Sequence, residues 1–316
     1  MKAVVFDGQL RLAVDCEDPI PAPGEVRIRT TLAGICNTDL EIMRGYAAYR
    51  GVPGHEFVGV VDRAEDSALV GQRVVGEINA ACGTCETCRA GRPTHCPNRT
   101  ALGIRGRDGA LAEFFCLPTA NLHPIPKGLP DQVAVFAEPL AAACEVLAQV
   151  HIRPTDRVIV LGDGKLGLLV AQVISLTACD LTVVGRHPDK LAILTARGIP
   201  VQVGEQGLAH SADLVVECTG QPEGFRAARH MVRPCGTLVL KSTYHGLVHI
   251  DLSSLVVDEI RMIGSRCGPF PAALRLLERG GVDVRSLITA EYPMDQARAA
   301  FEHAGRRGAL KVLVRP

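Results

Sequence analysis

Four cysteines carry the sharpest chemical signal in the sequence. Cys82, Cys85, Cys88 and Cys96 follow a Cys-x2-Cys-x2-Cys-x7-Cys spacing. Thiolates this close along a chain can enclose zinc tetrahedrally, in a loop that Gly83 and Gly91 help to turn. An iron-sulfur centre or a set of redox thiols are the alternatives, although the x7 interval departs from the compact ferredoxin run. With all four sulfurs on a metal, the loop offers no evident place for a substrate, so its zinc reads as structural. A second set is Gly34-Ile35-Cys36-Asn37-Thr38-Asp39 with Gly54-His55-Glu56. Cys36 and His55 can supply sulfur and nitrogen to zinc, and the Thr38 hydroxyl can hydrogen-bond a substrate alcohol and pass on its proton. Taken alone, Cys36 could equally be a buried thiol and His55-Glu56 a loop pair. The dispersed cysteines 16, 116, 144, 179, 218, 235 and 267 read as small apolar packing residues.

A third constellation is Gly162-Asp163-Gly164-Lys165-Leu166-Gly167. It follows an apolar strand candidate and precedes a helix candidate, the context in which GxGxxG cradles a dinucleotide pyrophosphate at a helix N-terminus. The next strand ends Val183-Val184 and continues Gly185-Arg186-His187, with Lys190 close behind. An NAD site commonly places an acid there for the ribose hydroxyls. Its absence, with Arg186 as a charge-assisted donor, points to NADP as the preferred cofactor, with NAD possible.

The elements that must position these residues fall into two textures. Up to about residue 125, short β-prone runs (26–31, 57–61 and 73–77) alternate with Pro and Gly turns, as in an irregular or barrel-like β domain. From about residue 140 the pattern becomes helix 140–150, strand 157–161, helix 166–176, strand 181–184, helix 188–197, then strands 214–217 and 237–240. Such alternation predicts a parallel sheet covered by helices. Segments 272–278 and 310–314 could return to the first domain. The expected domains are 1–139, 140–266 and a return segment 267–316.

The 316 residues suffice for about two domains with their own cores. Thirty-four basic residues balance 34 acidic ones, so no global field draws the chain to nucleic acid or an anionic bilayer. A hydrophobic content of 47% argues against extensive disorder. No run is long and apolar enough to span a membrane, and the start Met1-Lys2-Ala3-Val4-Val5 lacks an export pattern; the expected setting is cytoplasmic.

Together these motifs resemble the zinc-dependent medium-chain alcohol dehydrogenase superfamily, in pattern nearest its sorbitol, threonine and sugar dehydrogenase-like members. The resemblance runs over essentially the whole chain, through Gly54-His55-Glu56-Phe57-Val58-Gly59, the four-Cys loop, Phe136-Ala137-Glu138-Pro139-Leu140, Gly162 to Gly167 and Cys218-Thr219-Gly220. It implies a GroES-like, mainly β catalytic domain, an α/β Rossmann cofactor domain and an active cleft between them. It also implies that Cys36, His55, Glu56 and Glu138 serve a catalytic zinc, with Glu138 where many alcohol dehydrogenases carry Cys. Cys218-Thr219-Gly220 would line the nicotinamide side of the cofactor. Glu41 stands where several relatives have the His of a proton relay, so only the Thr38 portion of that relay carries over. The implied activity is oxidation of a small polar secondary alcohol, of polyol or sugar type, with two zinc ions per chain and a homo-dimer or homo-tetramer. A threonine-type or other specialised alcohol dehydrogenase and a non-catalytic cofactor-binding regulator are the alternatives. Arg105, Tyr244, His245 and Arg266 are candidate pocket-edge residues without an assigned role.

Overall fold

In the computed structural model, which describes residues 1–243 and 248–316, the chain divides into two compact units. One comprises Met1–Glu138 and Phe270–Pro316, the other Pro139–Pro269. Tyr244 and His245 lie outside the described residues.

The first unit is built on a seven-stranded sheet whose central strand is Glu25–Ile35. Its sequence EVRIRTTLAGI alternates at first, burying Val26, Ile28 and Thr30, and is buried continuously from Leu32 onward. That change in period marks where one covered face becomes two. Glu56–Arg63 pairs antiparallel with this strand, Gly34 lying opposite Glu56. Lys311–Arg315 pairs on its other edge, Val312 opposite Ile35. These two registers bring Cys36, His55, Glu56 and Lys311 to one end of the sheet, although 255 residues separate Glu56 from Lys311 in sequence. The strand Lys311–Arg315 also ties the C-terminal segment into the first unit, with the helix Ala297–Ala304 packing Ala300 and Phe301 into the same core as Val312 and Val314.

The second unit is a six-stranded sheet in which every pairing is parallel. Numbered along the chain, its strands lie in the order 3-2-1-4-5-6, from Val201–Val203 at one edge to Arg261–Gly264 at the other. The first strand, Arg157–Leu161, is apolar and buried without interruption from Val158 onward, as in sheets covered on both faces. Strand order reverses between it and the fourth strand, Ala212–Glu217. Ligands of open α/β sheets bind at the carboxyl ends of strands at such a switch point. Gly162 to Gly167 follows the first strand there and Cys218-Thr219-Gly220 follows the fourth.

Candidate active site

Cys36 caps the helix Asn37–Met43, so its thiol sits where the central strand turns into helix. Asp39, fully buried, holds this corner together. Its Oδ2 accepts the Cys36 N–H at 2.8 Å and its Oδ1 accepts the Gly54 N–H at 3.2 Å. His55 Nδ1 also lies 3.2 Å from Asp39 Oδ1, off the line of a hydrogen bond. Burial pushes the Asp39 carboxyl up, but the His55 charge and the N–H bonds outweigh it and the net shift is down. For His55 burial works against charge, and Asp39 more than reverses it, raising the imidazole well above its ordinary value. The carboxylate thus favours positive charge on a ring that is 3% exposed. A cation on Nε2 meets the same preference, as in carboxylate-histidine-metal triads. The sequence reading passed over Asp39; its position three residues after Cys36, at the start of a helix, was the available signal.

Cys36, His55 and Glu56 each present a ligand atom within 4.8 Å of the others. Glu56 is completely buried, with Oε2 paired to Lys311 Nζ and Oε1 without a partner. An orphaned carboxylate oxygen beside a thiol and an imidazole is a donor set that suits zinc. Lys311 is 1% exposed; burial opposes its charge, yet Glu56, Cys36 and Glu138 together raise its pKa. Glu138, half-buried in the first turn of the helix Ala137–Gln149, therefore stands near Lys311 but is not one of the three mutually close ligands. Thr38 Oγ1 lies 3.9 Å from Cys36 Sγ. Glu41 is engaged by Arg44 at 2.7 Å.

In the four-Cys loop the sulfur separations are 3.5 Å for Cys85–Cys88 and Cys82–Cys96, 3.7 Å for Cys85–Cys96 and 4.0 Å for Cys82–Cys88. A tetrahedron with zinc-sulfur bonds of about 2.3 Å has edges of about 3.8 Å. Disulfides require about 2.0 Å, so the spacing fits an ion and excludes paired cystines. The N–H groups of Thr84 and Cys85 hold the Cys82 thiol down at about 5. Lost solvation and the neighbouring thiols push Cys88 the other way, to about 12. Four sulfurs this close resist common ionisation, and a divalent ion removes that resistance.

The glycine turn of the second unit meets the three demands of a dinucleotide cradle. Gly162 has φ +123°, and a Cβ there would strike the Cys218 backbone. At Gly164, the N-cap of the helix Lys165–Ser175, a Cβ would meet nothing within 4 Å, which leaves room for a ligand to approach. A Cβ on Gly167 would lie 2.1 Å from Gly162 O, so only glycine lets helix and strand close. Lys165 and Leu166 open that helix, each half-buried. Thr219 is pinned by its N–H and hydroxyl to buried Glu217, at 2.7 and 2.5 Å, and Gly220 N–H bonds Ser242 Oγ. Burial beside Glu217 pushes the Cys218 thiol up, so it stays neutral. Arg186 is exposed at the end of the second strand, and His187 and Lys190 are half-buried.

No acid stands at position 185, and the Asp163 carboxylate reaches that strand end, where it accepts the Arg186 and His187 N–H groups at 2.6 and 2.7 Å. Arg105 and Arg266 are exposed.

Residues 22–127 match the alcohol dehydrogenase GroES-like domain, and residues 131–315 match the glucose dehydrogenase C-terminus. The chain belongs to the medium-chain dehydrogenase/reductase superfamily. Within it the protein is related to the sorbitol, polyol and sugar dehydrogenases. Sorbitol dehydrogenase of Halalkalibacterium halodurans is 28% identical over 95% of this chain and 94% of its own. The structure of short chain alcohol dehydrogenase (rspB) from Escherichia coli CFT073, complexed with NADH, is 28% identical with a TM-score of 0.91, covering 100% of this chain and 99% of the other. A zinc-binding dehydrogenase of Sinorhizobium meliloti 1021 bound to NADP is 27% identical with a TM-score of 0.88, covering 100% and 99%. Two comparably similar structures thus hold different dinucleotides. Architecture makes the dehydrogenase an NAD(P) enzyme without choosing between them.

Proposed function

We propose that this dehydrogenase is zinc-dependent and interconverts a small polar secondary alcohol, of polyol or sugar type, with its carbonyl product. The observation that carries the zinc reading is the cluster of half-buried Cys36 with buried His55 and Glu56, in which Glu56 Oε1 is unpaired. The names of relatives that act on sorbitol, erythritol and D-arabinitol support the substrate class. A zinc ion at Cys36 and His55 would polarise the alcohol or carbonyl oxygen, and a dinucleotide at the glycine turn would accept or return the hydride.

The remaining work belongs to the chain's own side chains. Asp39 fixes the His55 ring and the Cys36 backbone, so both donors are set before substrate arrives. Thr38, beside Cys36, accepts the proton that the substrate hydroxyl gives up and hands it toward water, since Glu41 is occupied by Arg44. Glu138, at the start of its helix, would be the further ligand of such a zinc, as a carboxylate that would exchange for water more readily than a thiolate. Lys311 pairs with Glu56 in a place that water does not reach. Cys82, Cys85, Cys88 and Cys96 hold a second, structural zinc.

We also infer self-association into a homo-dimer or larger homo-oligomer. Among the described residues the strand Arg261–Gly264 lies at the edge of its sheet, and Leu252, Val256 and Val257 nearby in sequence are 65%, 76% and 80% exposed.

Zinc content and reduced-cofactor absorbance on a polyol and sugar panel test the assignment together. The purified protein should hold two zinc ions per chain and turn over. Cys36→Ala or His55→Ala should each retain one zinc and lose turnover. Full turnover by either variant, or by protein holding only the four-Cys zinc, overturns the reading.

A further inference from the structure

The end of the second strand is where a dinucleotide fold reads the adenosine ribose, through an acid roughly 20 residues beyond the glycine turn. Here that position is Gly185, which offers no side chain at all. The space beside it is nevertheless filled. A Cβ built on Gly185 would lie 2.5 Å from Asp163 Oδ2, 2.7 Å from Asp163 Cβ and 2.9 Å from its Cγ. The carboxylate of Asp163 therefore occupies the volume that an acid at position 185 would use. It comes from the first strand's turn instead of the second strand's end. Glycine at 185 and aspartate at 163 are one arrangement, since position 185 admits no side chain while Asp163 keeps its own.

Three donors fix the carboxylate. Oδ2 accepts the Arg186 N–H at 2.6 Å and the His187 N–H at 2.7 Å, and His187 Nδ1 lies 3.0 Å from both oxygens. Two consecutive backbone N–H groups and an imidazole form an anion-binding nest. Such a nest, with exposed Arg186 beside it, would suit a ribose 2'-phosphate, and the chain has placed its own carboxylate in it. Burial pushes Asp163 up, while His187 and the two N–H groups outweigh it and hold the carboxyl below its ordinary value. Among the described residues Oδ1 meets His187 alone, and it keeps a lone pair that can accept a hydroxyl bond. A 2'-hydroxyl finds an acceptor there, and a 2'-phosphate finds a fixed negative charge and donors already used.

We propose that Asp163 is the cofactor-specificity residue of this dehydrogenase and selects the dinucleotide bearing a free ribose 2'-hydroxyl, NAD, against NADP. The inference rests on the reading that the glycine turn binds a dinucleotide. It reverses the preference expected from the missing strand-end acid, and it assigns Arg186 to the solvent.

Calorimetric titration of the full-length, zinc-loaded protein with NADH and with NADPH, at one fixed ionic strength, tests it without turnover. The wild-type protein should bind NADH tighter by on the order of tenfold or more. Asp163→Asn keeps the size and one acceptor while removing the charge, and should shrink that ratio by about tenfold, mainly by strengthening NADPH. Wild-type protein that binds NADPH as tightly as NADH overturns the inference and leaves the dehydrogenase intact. So does an Asp163→Asn protein in which both affinities fall by the same factor, since that is what a purely structural aspartate would do. If Asp163→Asn does not fold, the wild-type ratio alone decides. Absence of binding by either dinucleotide overturns the cofactor reading and this inference with it.

Discussion

Glu56 and Lys311 are joined inside a core that admits almost no water. A buried pair of this kind gives little net stability as a pair, but losing one partner strands the other. Lys311→Met should therefore destabilise the first unit by about 3–5 kcal/mol, read as a lower denaturation midpoint. Adding Glu56→Gln should recover most of that loss, because the stranded charge is then gone. Asp39→Asn addresses the same corner differently. It keeps the shape while removing the charge behind His55, and should weaken zinc binding at Cys36 and His55 by roughly 10- to 100-fold in a competition titration. The four-Cys site should keep its affinity. These residues also mark what could be read from the chain alone. Cys36 and His55 were legible through the glycines and acids around them, and Thr38 through its place beside Cys36. Lys311 was not, since its partner lies 255 residues away. A lone lysine within Leu310-Lys311-Val312-Leu313-Val314 was still a signal, because a charge inside an apolar strand needs a buried counter-charge.

At the scale of elements, the glycine turn and the two strands it joins behave as one device. Gly167→Ala would force a methyl group to within 2.1 Å of Gly162 O, so the helix Lys165–Ser175 must lift from the strand. The expected cost is about 1–3 kcal/mol or more, with weaker binding of either dinucleotide and unchanged zinc content. Asp163 adds a pH dependence to the same turn. Its carboxyl is held below the ordinary value in the folded chain, so its contribution is complete above the unfolded aspartate range and disappears as pH falls through the folded value. Acid titration of the wild-type protein should show that loss, and Asp163→Asn should lack this increment. The strands Arg157–Leu161, Asp180–Gly185, Ala212–Glu217 and Val232–Leu240 and the first three helices of this unit were legible because their apolar runs are bounded by Pro, Gly and charged residues, whereas the helices Pro222–Met231 and Leu252–Val257 were not read. The strands Val201–Val203 and Arg261–Gly264 escaped notice since both lie at sheet edges, are short, and keep side chains in solvent. The reach of Asp163 to the neighbouring strand was hidden for another reason. Spacing shows which residues form a turn, but only the folded register shows which strand end a turn's side chain meets.

For the whole molecule the governing fact is a formal charge balance of 34 against 34. A neutral chain has no long-range repulsion to keep copies apart, so association turns on local surfaces. Unpaired strand edges are normally protected by charge, proline or a covering element. The strand Arg261–Gly264 carries only Arg261 as a charge, and Met262 on it is 42% exposed. Val256 and Val257 end the helix that precedes it and leave most of their surface in solvent. An isologous contact would use each of these groups twice, once from either copy, and stable association needs about 1,200 Å² of total buried surface. Subunit number was not legible in the sequence, where nothing singles out Val256 and Val257 and a homo-dimer or homo-tetramer follows only from the family resemblance. Sedimentation at micromolar concentration should give a mass of at least two chains. Replacing Val256 with Lys and Val257 with Asp should shift the boundary toward one chain without altering zinc content. A wild-type monomer, or an unchanged mass in the double variant, would remove this face from the assembly.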